Sequence, residues 1–347
     1  MLKRIALLAS VGVAFALVVY AGADKKDEPK QLPIPEMKFN DVKEIAPGVF
    51  FRYSSISAND KKIPFGGSNH TWIVFKDYVV VIDANFPKEA ADVIADIKKT
   101  TKKPIKYVLD THHHGDHAYG NTIWAKEGAQ IIAHKNAARM LKVNGPKQWE
   151  DAAKDRKDIK DNELKQVDIT FDDKYELKDD TQHVIFMHFG HSHTAGDASA
   201  YLPKHKILCT GDACVNGAFN YMGHANSANW IKCLDAMDKL EIDLVCPGHG
   251  KISRKDLFAL EKRYFTELRA AVKNGIDAKK SVEDITKGLD FAWYKEWTGV
   301  NVAETDMNKD NVKHVYNELM GKIDHDRIGA APAPLDWRPG ATGIAGR

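Results

Sequence analysis

Thr111-His112-His113-His114-Gly115-Asp116-His117 places four histidines and an aspartate in seven residues. It follows Ile105-Lys106-Tyr107-Val108-Leu109-Asp110, a run of β-branched and aromatic residues that predicts a strand. Imidazole and carboxylate are ligand types that suit zinc and similar divalent ions. On an extended segment, residues two apart point to one side, so His112 and His114 can converge on one ion. Gly115 lets the chain turn, which allows Asp116 and His117 to face a second point close to the first. A solvated histidine-rich tract is the plain alternative. The interruptions by Gly and Asp, and the position at a strand end, weigh against it.

His112-x-His114-x-Asp116-His117 matches the H-x-H-x-D-H signature of the metallo-β-lactamase superfamily, and the chain resembles that family at three further points. His193-Thr194-Ala195-Gly196-Asp197 resembles the family's second motif, Thr210-Gly211-Asp212 its third and Pro247-Gly248-His249-Gly250 its last. The four motifs stand in the family's order, and the likeness covers residues 45–252. One motif alone is weak; four in order are a strong signal.

The resemblance implies an α/β fold, a four-layer αβ/βα sandwich with its loops gathered at one edge. It implies His112, His114 and His193 on one metal and Asp116, His117 and His249 on a second, with Asp212 bridging. Zinc is the expected metal, two ions, with iron or manganese as alternatives. Two neighbouring divalent ions lower the pKa of a shared water, giving hydroxide at neutral pH, and polarise a carbonyl or phosphoryl oxygen. Asp116 is the expected catalytic residue, a ligand that also orients the hydroxide. Asp83 and Asp110 are candidates to hold the ligand imidazoles in place. His191 and His224 read as hydrogen-bonded loop histidines, with lining the pocket (His191) or contacting substrate (His224) as the alternative. Tyr119 and Trp72 read either as pocket wall or as core packing, while His113 is expected to point away from His112 and His114.

Zinc β-lactamases of this family often carry a cysteine where this chain has Asp212. Many have a carboxylate-binding lysine three residues later, where Val215 stands. The set with Asp116, His117 and Asp212 is similar to that of the family's dinuclear hydrolases of lactones, thioesters and phosphodiesters. The expected function is an exported dinuclear zinc hydrolase of a small cyclic amide, lactone or ester. An iron-dependent oxidoreductase and a phosphodiesterase are the alternatives on the same fold.

The 347 residues allow one large or two modest domains, and 44% hydrophobic with 28% charged residues is a soluble globular profile. A formal net charge of +2 gives no strong attraction to nucleic acid or anionic membranes, so a small-molecule substrate is the expected partner. Lys3 and Arg4, the apolar run 5–19 and Ala21-Gly22-Ala23 form a secretory signal pattern over residues 1–23. That run is short of the about 20 apolar residues a spanning helix needs. A periplasmic or secreted mature protein is expected. Cys209, Cys214, Cys233 and Cys246 form no C-x-x-C pair; Cys209 and Cys246 read as small buried hydrophobes.

Residues 24–44 read as a linker or extended arm, and 45–252 as the catalytic domain. Within the domain, strands are expected at 48–53, 70–75, 78–83, 105–109, 130–133, 170–177, 183–188, 198–202, 206–209 and 244–246. Pro87 opens a helix to residue 99, residues 125–129 read as a short connection, and 136–143 as a helix. Residues 144–165 read as a charged, mobile helical or loop insertion over one edge of the domain. Ser227 is the expected N-cap of a helix to residue 240. Beyond 252 lies a helical extension, 253–325, whose aromatics Phe291, Trp293, Tyr294 and Trp297 should pack on the core. Residues 326–347 read as a loose tail.

Overall fold

A computed structural model describes residues 31–54, 66–218 and 220–323, and the elements below all belong to the compact unit Leu32–Arg347. The signal pattern, residues 24–30 of the arm and the tail lie outside the described residues. Two sheets carry the fold. The first holds β1 (Val42–Ala46), β2 (Val49–Arg52), β3 (His70–Val74), β4 (Val79–Ile82), β5 (Ile105–Asp110), β6 (Gln130–His134) and β7 (Ile169–Phe171), in that spatial order. Strands β1 to β4 form an antiparallel meander, and β4 to β7 run parallel. The second holds β8 (Lys174–Lys178), β9 (His183–Met187), β10 (Ser199–Leu202), β11 (Ile207–Gly211) and β12 (Leu244–Pro247), with only the β11–β12 pair parallel.

The strands alternate their apolar faces, which sets the layers. Val80 and Ile82 of β4, Leu109 of β5 and Ile132 of β6 meet Phe186, Ala200, Ile207, Cys209 and Cys246 of the other sheet in the central core. Val79, Val81, Val108 and Ile131 face the opposite way, onto Val93, Ile97 and Trp124. Those side chains come from α1 (Pro87–Thr100) and from α3 (Asn121–Lys126), which follows the single turn α2 (Gly115–Ala118). Leu208 and Val245 turn outward to Trp230, Leu234, Phe265 and Val315. The result is helix, sheet, sheet, helix, as expected.

The remaining helices are α4 (Lys135–Val143), α5 (Gly145–Ala152), α6 (Lys157–Lys160), α7 (Ser227–Met237), α8 (Asp256–Asp277), α9 (Val282–Lys287), α10 (Ala292–Thr298) and α11 (Asp306–Leu319). No helix among the described residues is long and apolar enough to cross a membrane. The C-terminal helices cover the second sheet: α8 packs on α7 and α11. Tyr294 is buried there and Trp293 stacks on Trp297 at 6.2 Å, so these aromatics are packing residues.

Three local expectations need correction. Residues 170–177 are not one strand: β7 closes the first sheet, Asp172-Asp173 breaks the run, and β8 opens the second. Residues 121–126 are helical, so the connection before β6 is shorter than expected. The N-cap of α7 is Asn226, whose side chain accepts from the Asn229 amide, while Ser227 is engaged by Glu318 and Arg269. The cysteines are free and buried.

Candidate metal centre

All seven expected ligand residues lie at one edge of the sandwich. The stretch after β5 supplies His112, His114, Asp116 and His117; the loop after β9 supplies His193; the ends of β11 and β12 lead to Asp212 and His249. Two close approaches demand glycine. A Cβ on Gly248 would lie 2.1 Å from Asp212 Oδ1. Gly211, at φ +53, would press a Cβ to 2.3 Å from Thr111 Oγ1.

The first group is three imidazoles. His112 Nε2 lies 3.0 Å from His114 Nδ1, and His193 Nε2 lies 2.9 Å from the same atom. His193 Nδ1 is 2.8 Å from the Tyr221 carbonyl, which only accepts, so the tautomer this bond selects has its lone pair on Nε2. Burial holds His112 and His114 well below the ordinary imidazole range, so both are neutral. Neutral ring nitrogens aimed at one point are the donor set of a zinc-type ion, and the residues fit one.

The second group is Asp116, His117 and His249, with ligand atoms all within 4.8 Å of one another. His117 Nδ1 pairs with Asp83 Oδ2 at 2.9 Å, which leaves Nε2 facing the group. His249 Nε2 lies 3.2 Å from Asp116 Oδ2. Asp212 reaches both groups: Oδ1 is 3.3 Å from His117 Nε2, and Oδ2 is 3.4 Å from His249 Nε2 and 3.7 Å from His193 Nε2. Burial opposes charge on His117, but the Asp212, Asp83 and Asp116 carboxylates outweigh it and hold the ring well above its ordinary range. Against the same burial, Asp212 and Asp116 push His249 up to about 9. The carboxylates thus draw positive charge into the second group, which a divalent ion would equally supply. The donor set fits such an ion.

The other candidates divide. Asp83 holds His117 and, through Oδ1, accepts from the Thr111 amide at 2.8 Å. Asp110 touches no ligand residue by hydrogen bond; it accepts from Asn121 at 2.6 Å. Trp72 is a core residue beneath α1, hydrogen-bonded to Thr100. His191 bonds the His224 carbonyl at 2.8 Å. The His113 ring lies 6.5 Å from that of His112 but 4.8 Å from that of His114, on the side of His224. A cavity of about 390 Å³ opens on the site, lined by Asp116, Tyr119, Gln148, Tyr221, His224 and Met307 beside the ligand residues.

Sequence reasoning missed the residues that pin the ligand loops. Asp197 accepts from the Thr194 amide at 2.9 Å, Thr194 Oγ1 at 2.6 Å and Ser192 Oγ at 2.5 Å, bracketing His193. Buried Glu261 on α8 accepts from the Val215 amide and from Asn220, each at 2.8 Å, fixing the loop after Asp212. Asn69 donates to the Pro247 and Gly250 carbonyls at 3.0 and 2.8 Å, on either side of His249. Of these, only Asp197 lies inside a quoted motif.

A family model described as "Metallo-beta-lactamase superfamily" matches residues 63–249. The chain is 24% identical over 199 residues to the 2,4-dinitroanisole O-demethylase subunit alpha of Nocardioides sp. (strain JS1661), a match covering 57% of this chain and 54% of that protein. It is 26% identical over 187 residues to a metallo-beta-lactamase type 2 of Bacillus sp. (strain 170), covering 52% and 65%. The matches therefore span less than two thirds of these relatives' own length. Metallo-beta-lactamase FIM-1 from Pseudomonas aeruginosa, in a mono-zinc form, superposes with a TM-score of 0.53 at 21% identity over 69% of this chain and 97% of that one. TMB-1 superposes with the same score and identity over 67% and 99%. These two likenesses bear on the fold.

Proposed function

The chain belongs to the metallo-β-lactamase superfamily and has its metal-dependent hydrolase fold, and we propose that it works as an exported two-zinc hydrolase of small, uncharged lactones, esters or cyclic amides. The observation that carries this is the convergence of seven ligand-type side chains, with His112 and His193 each bringing a ring nitrogen within 3.0 Å of His114 Nδ1. His112, His114 and His193 would hold one ion and Asp116, His117 and His249 the other, with Asp212 between; bound there, the ions act as Lewis acids on a carbonyl oxygen and lower the pKa of water. Export rests on the residues 1–23 pattern.

The chain's own residues do the rest. Asp116 lines the cavity as a carboxylate: burial works against its charge, but His117 and His249 hold its pKa below the ordinary value. It can accept a hydrogen bond from an attacking water and orient it. Tyr119, Tyr221 and Met307 offer apolar surface to the substrate's body, and Gln148 a neutral hydrogen-bonding edge. Among the described residues no lysine or arginine lines this cavity. Val215 is buried, with its amide on Glu261. An anionic substrate would thus be met by the ions and not by a lysine or arginine of this lining, and neutral substrates, which need no such partner, are the class we propose.

Metal analysis of the mature protein beside a substrate panel tests the proposal. The panel pairs uncharged lactones and esters with carboxylate-bearing β-lactams, thioesters and phosphodiesters. Aryl methyl ethers join it because one relative carries the name of an O-demethylase. Two zinc equivalents and preferential hydrolysis of the uncharged members are expected. Full turnover in metal-stripped protein would sink the proposal, and oxygen uptake with bound iron would favour the oxidoreductase alternative.

A further inference from the structure

We propose that His224 is a positioning residue that fixes the tautomer of His114 at the first metal position, an inference that rests on the metal reading above. His114 is engaged through both ring nitrogens. Nδ1 faces His112 and His193 at 3.0 and 2.9 Å, while Nε2 lies 2.7 Å from His224 Nδ1. A neutral imidazole carries one proton. For Nδ1 to give a lone pair to an ion, the proton must sit on Nε2, and His224 Nδ1 is the acceptor that keeps it there. Partners of this kind fix ring orientation and raise the basicity of the ligating nitrogen.

The way His224 is held supports the role. The same loop presents the Tyr221 carbonyl to His193 Nδ1 at 2.8 Å, so one loop governs two of the three first-position histidines. Its backbone is tied to the C-terminal extension. Asn311 of α11 accepts from the Met222 amide at 3.0 Å, and His314 Nε2 lies 3.0 Å from the Ala225 carbonyl. Ala225 N closes a turn on the Met222 carbonyl at 2.9 Å. The extension therefore has a job at the metal centre as well as in the core: it sets the loop that orients the ligands.

A competing arrangement uses the same atoms. His113, His114 and His224 have nitrogens within 4.8 Å of one another, and neither ring nitrogen of buried His113 has a hydrogen-bond partner among the described residues. An ion there would need the lone pair of His114 Nε2 while Nδ1 serves the first position, so His114 would have to lose its only proton. A hydrogen bond needs no such loss, and 2.7 Å is a hydrogen-bond distance.

The test is zinc affinity measured by chelator competition on the full chain, with thermal midpoints of the metal-free proteins beside it. His224→Ala should weaken the first zinc by about 10- to 100-fold and leave the second closer to the parent value. His224→Asn places an acceptor oxygen near the site of Nδ1 and should recover most of the loss. Equal first-zinc affinity in parent and His224→Ala would overturn the inference, as would failure of the Asn variant to recover affinity at an unchanged thermal midpoint. A third zinc equivalent in the parent, lost in His113→Ala, would overturn it in favour of the ion site. A parent protein that binds no zinc would instead overturn the functional reading on which it rests.

Discussion

The two sheets deliver their ligand-type residues in different ways. The first sheet does it with one loop: His112, His114, Asp116 and His117 all follow β5 within a single turn of chain. The second sheet delivers His193, Asp212 and His249 one at a time, from separate loops, each fastened by a different residue. A local set is positioned by its own backbone geometry. A distributed set depends on the packing of remote elements, down to Glu261 on a C-terminal helix. Variants in the two sets should therefore fail differently.

The largest effect is expected in the local set. His114 Nδ1 is the atom that both His112 and His193 face. His114→Ala should abolish first-position metal binding and cut turnover by more than the roughly 100-fold ascribed to supporting residues, with little loss of fold. Metal content and turnover at the parent level would show that His114 is no ligand.

Asp212 comes next, because it belongs to neither group alone. Asp212→Ala should lose the second metal preferentially, since the first position keeps three histidines. Asp212→Asn, with one amide oxygen and no charge, should be intermediate. Two equivalents and normal turnover in the alanine variant would remove the bridging role.

The anchors of the distributed set should matter more to stability than to chemistry. Glu261→Ala leaves the Val215 amide and the Asn220 side chain buried without their acceptor, a loss of about 1–3 kcal/mol per group. Glu261→Gln keeps an acceptor oxygen in a site where burial already pushes the carboxyl pKa well above the usual range, and should be much milder. Urea denaturation separates these outcomes. Equal midpoints for the two variants would mean that Glu261 does not hold the Asp212 loop.

This contrast also explains what was legible in the sequence. The seven ligand-type residues stand in short motifs at strand ends, so their gathering at one edge was legible, as was the period-2 alternation of β4 that separates the central core from the helix layer. Asp172-Asp173 hides a sheet change inside one apparently continuous strand pattern, because Thr170 to Leu177 carries no Gly or Pro to mark it. Asn69 and Glu261 are hydrogen-bonded to residues 178 and 46 positions away, and no local pattern announces such partners. Trp72 reads equally as pocket wall or core packing because an aromatic near a motif has no directional signal; its burial under α1 is decided by the strand's register.

The smallest expected effect concerns the seam between the sheets. His134 ends β6 of the first sheet, and His188 follows β9 of the second; their rings stack at 3.8 Å with an interplanar angle of 10°. Burial, with the His188 and Lys135 charges adding, pushes His134 down to about 2, and burial also lowers His188. The Asp172 backbone bond acts the other way on His134, and Asp197 and Asp173 act the other way on His188, without reversing either shift. Both rings are thus neutral when folded near neutral pH, whereas in the unfolded chain each takes a proton around the ordinary value of about 6.5. A folded pKa below the unfolded one means that stability is fully present above about pH 6.5 and is lost as pH falls towards the folded value. For one such ring the loss between pH 7.5 and 5.5 is about 1.4 kcal/mol. His134→Asn keeps a side-chain oxygen to accept from the Asn136 amide, as His134 Nδ1 does at 3.3 Å, but cannot titrate. Measured on metal-free protein, where the other buried histidines contribute equally to both forms, the parent should lose about 1.4 kcal/mol more than the variant across that interval. Parallel pH profiles would show that His134 does not stay neutral at the seam.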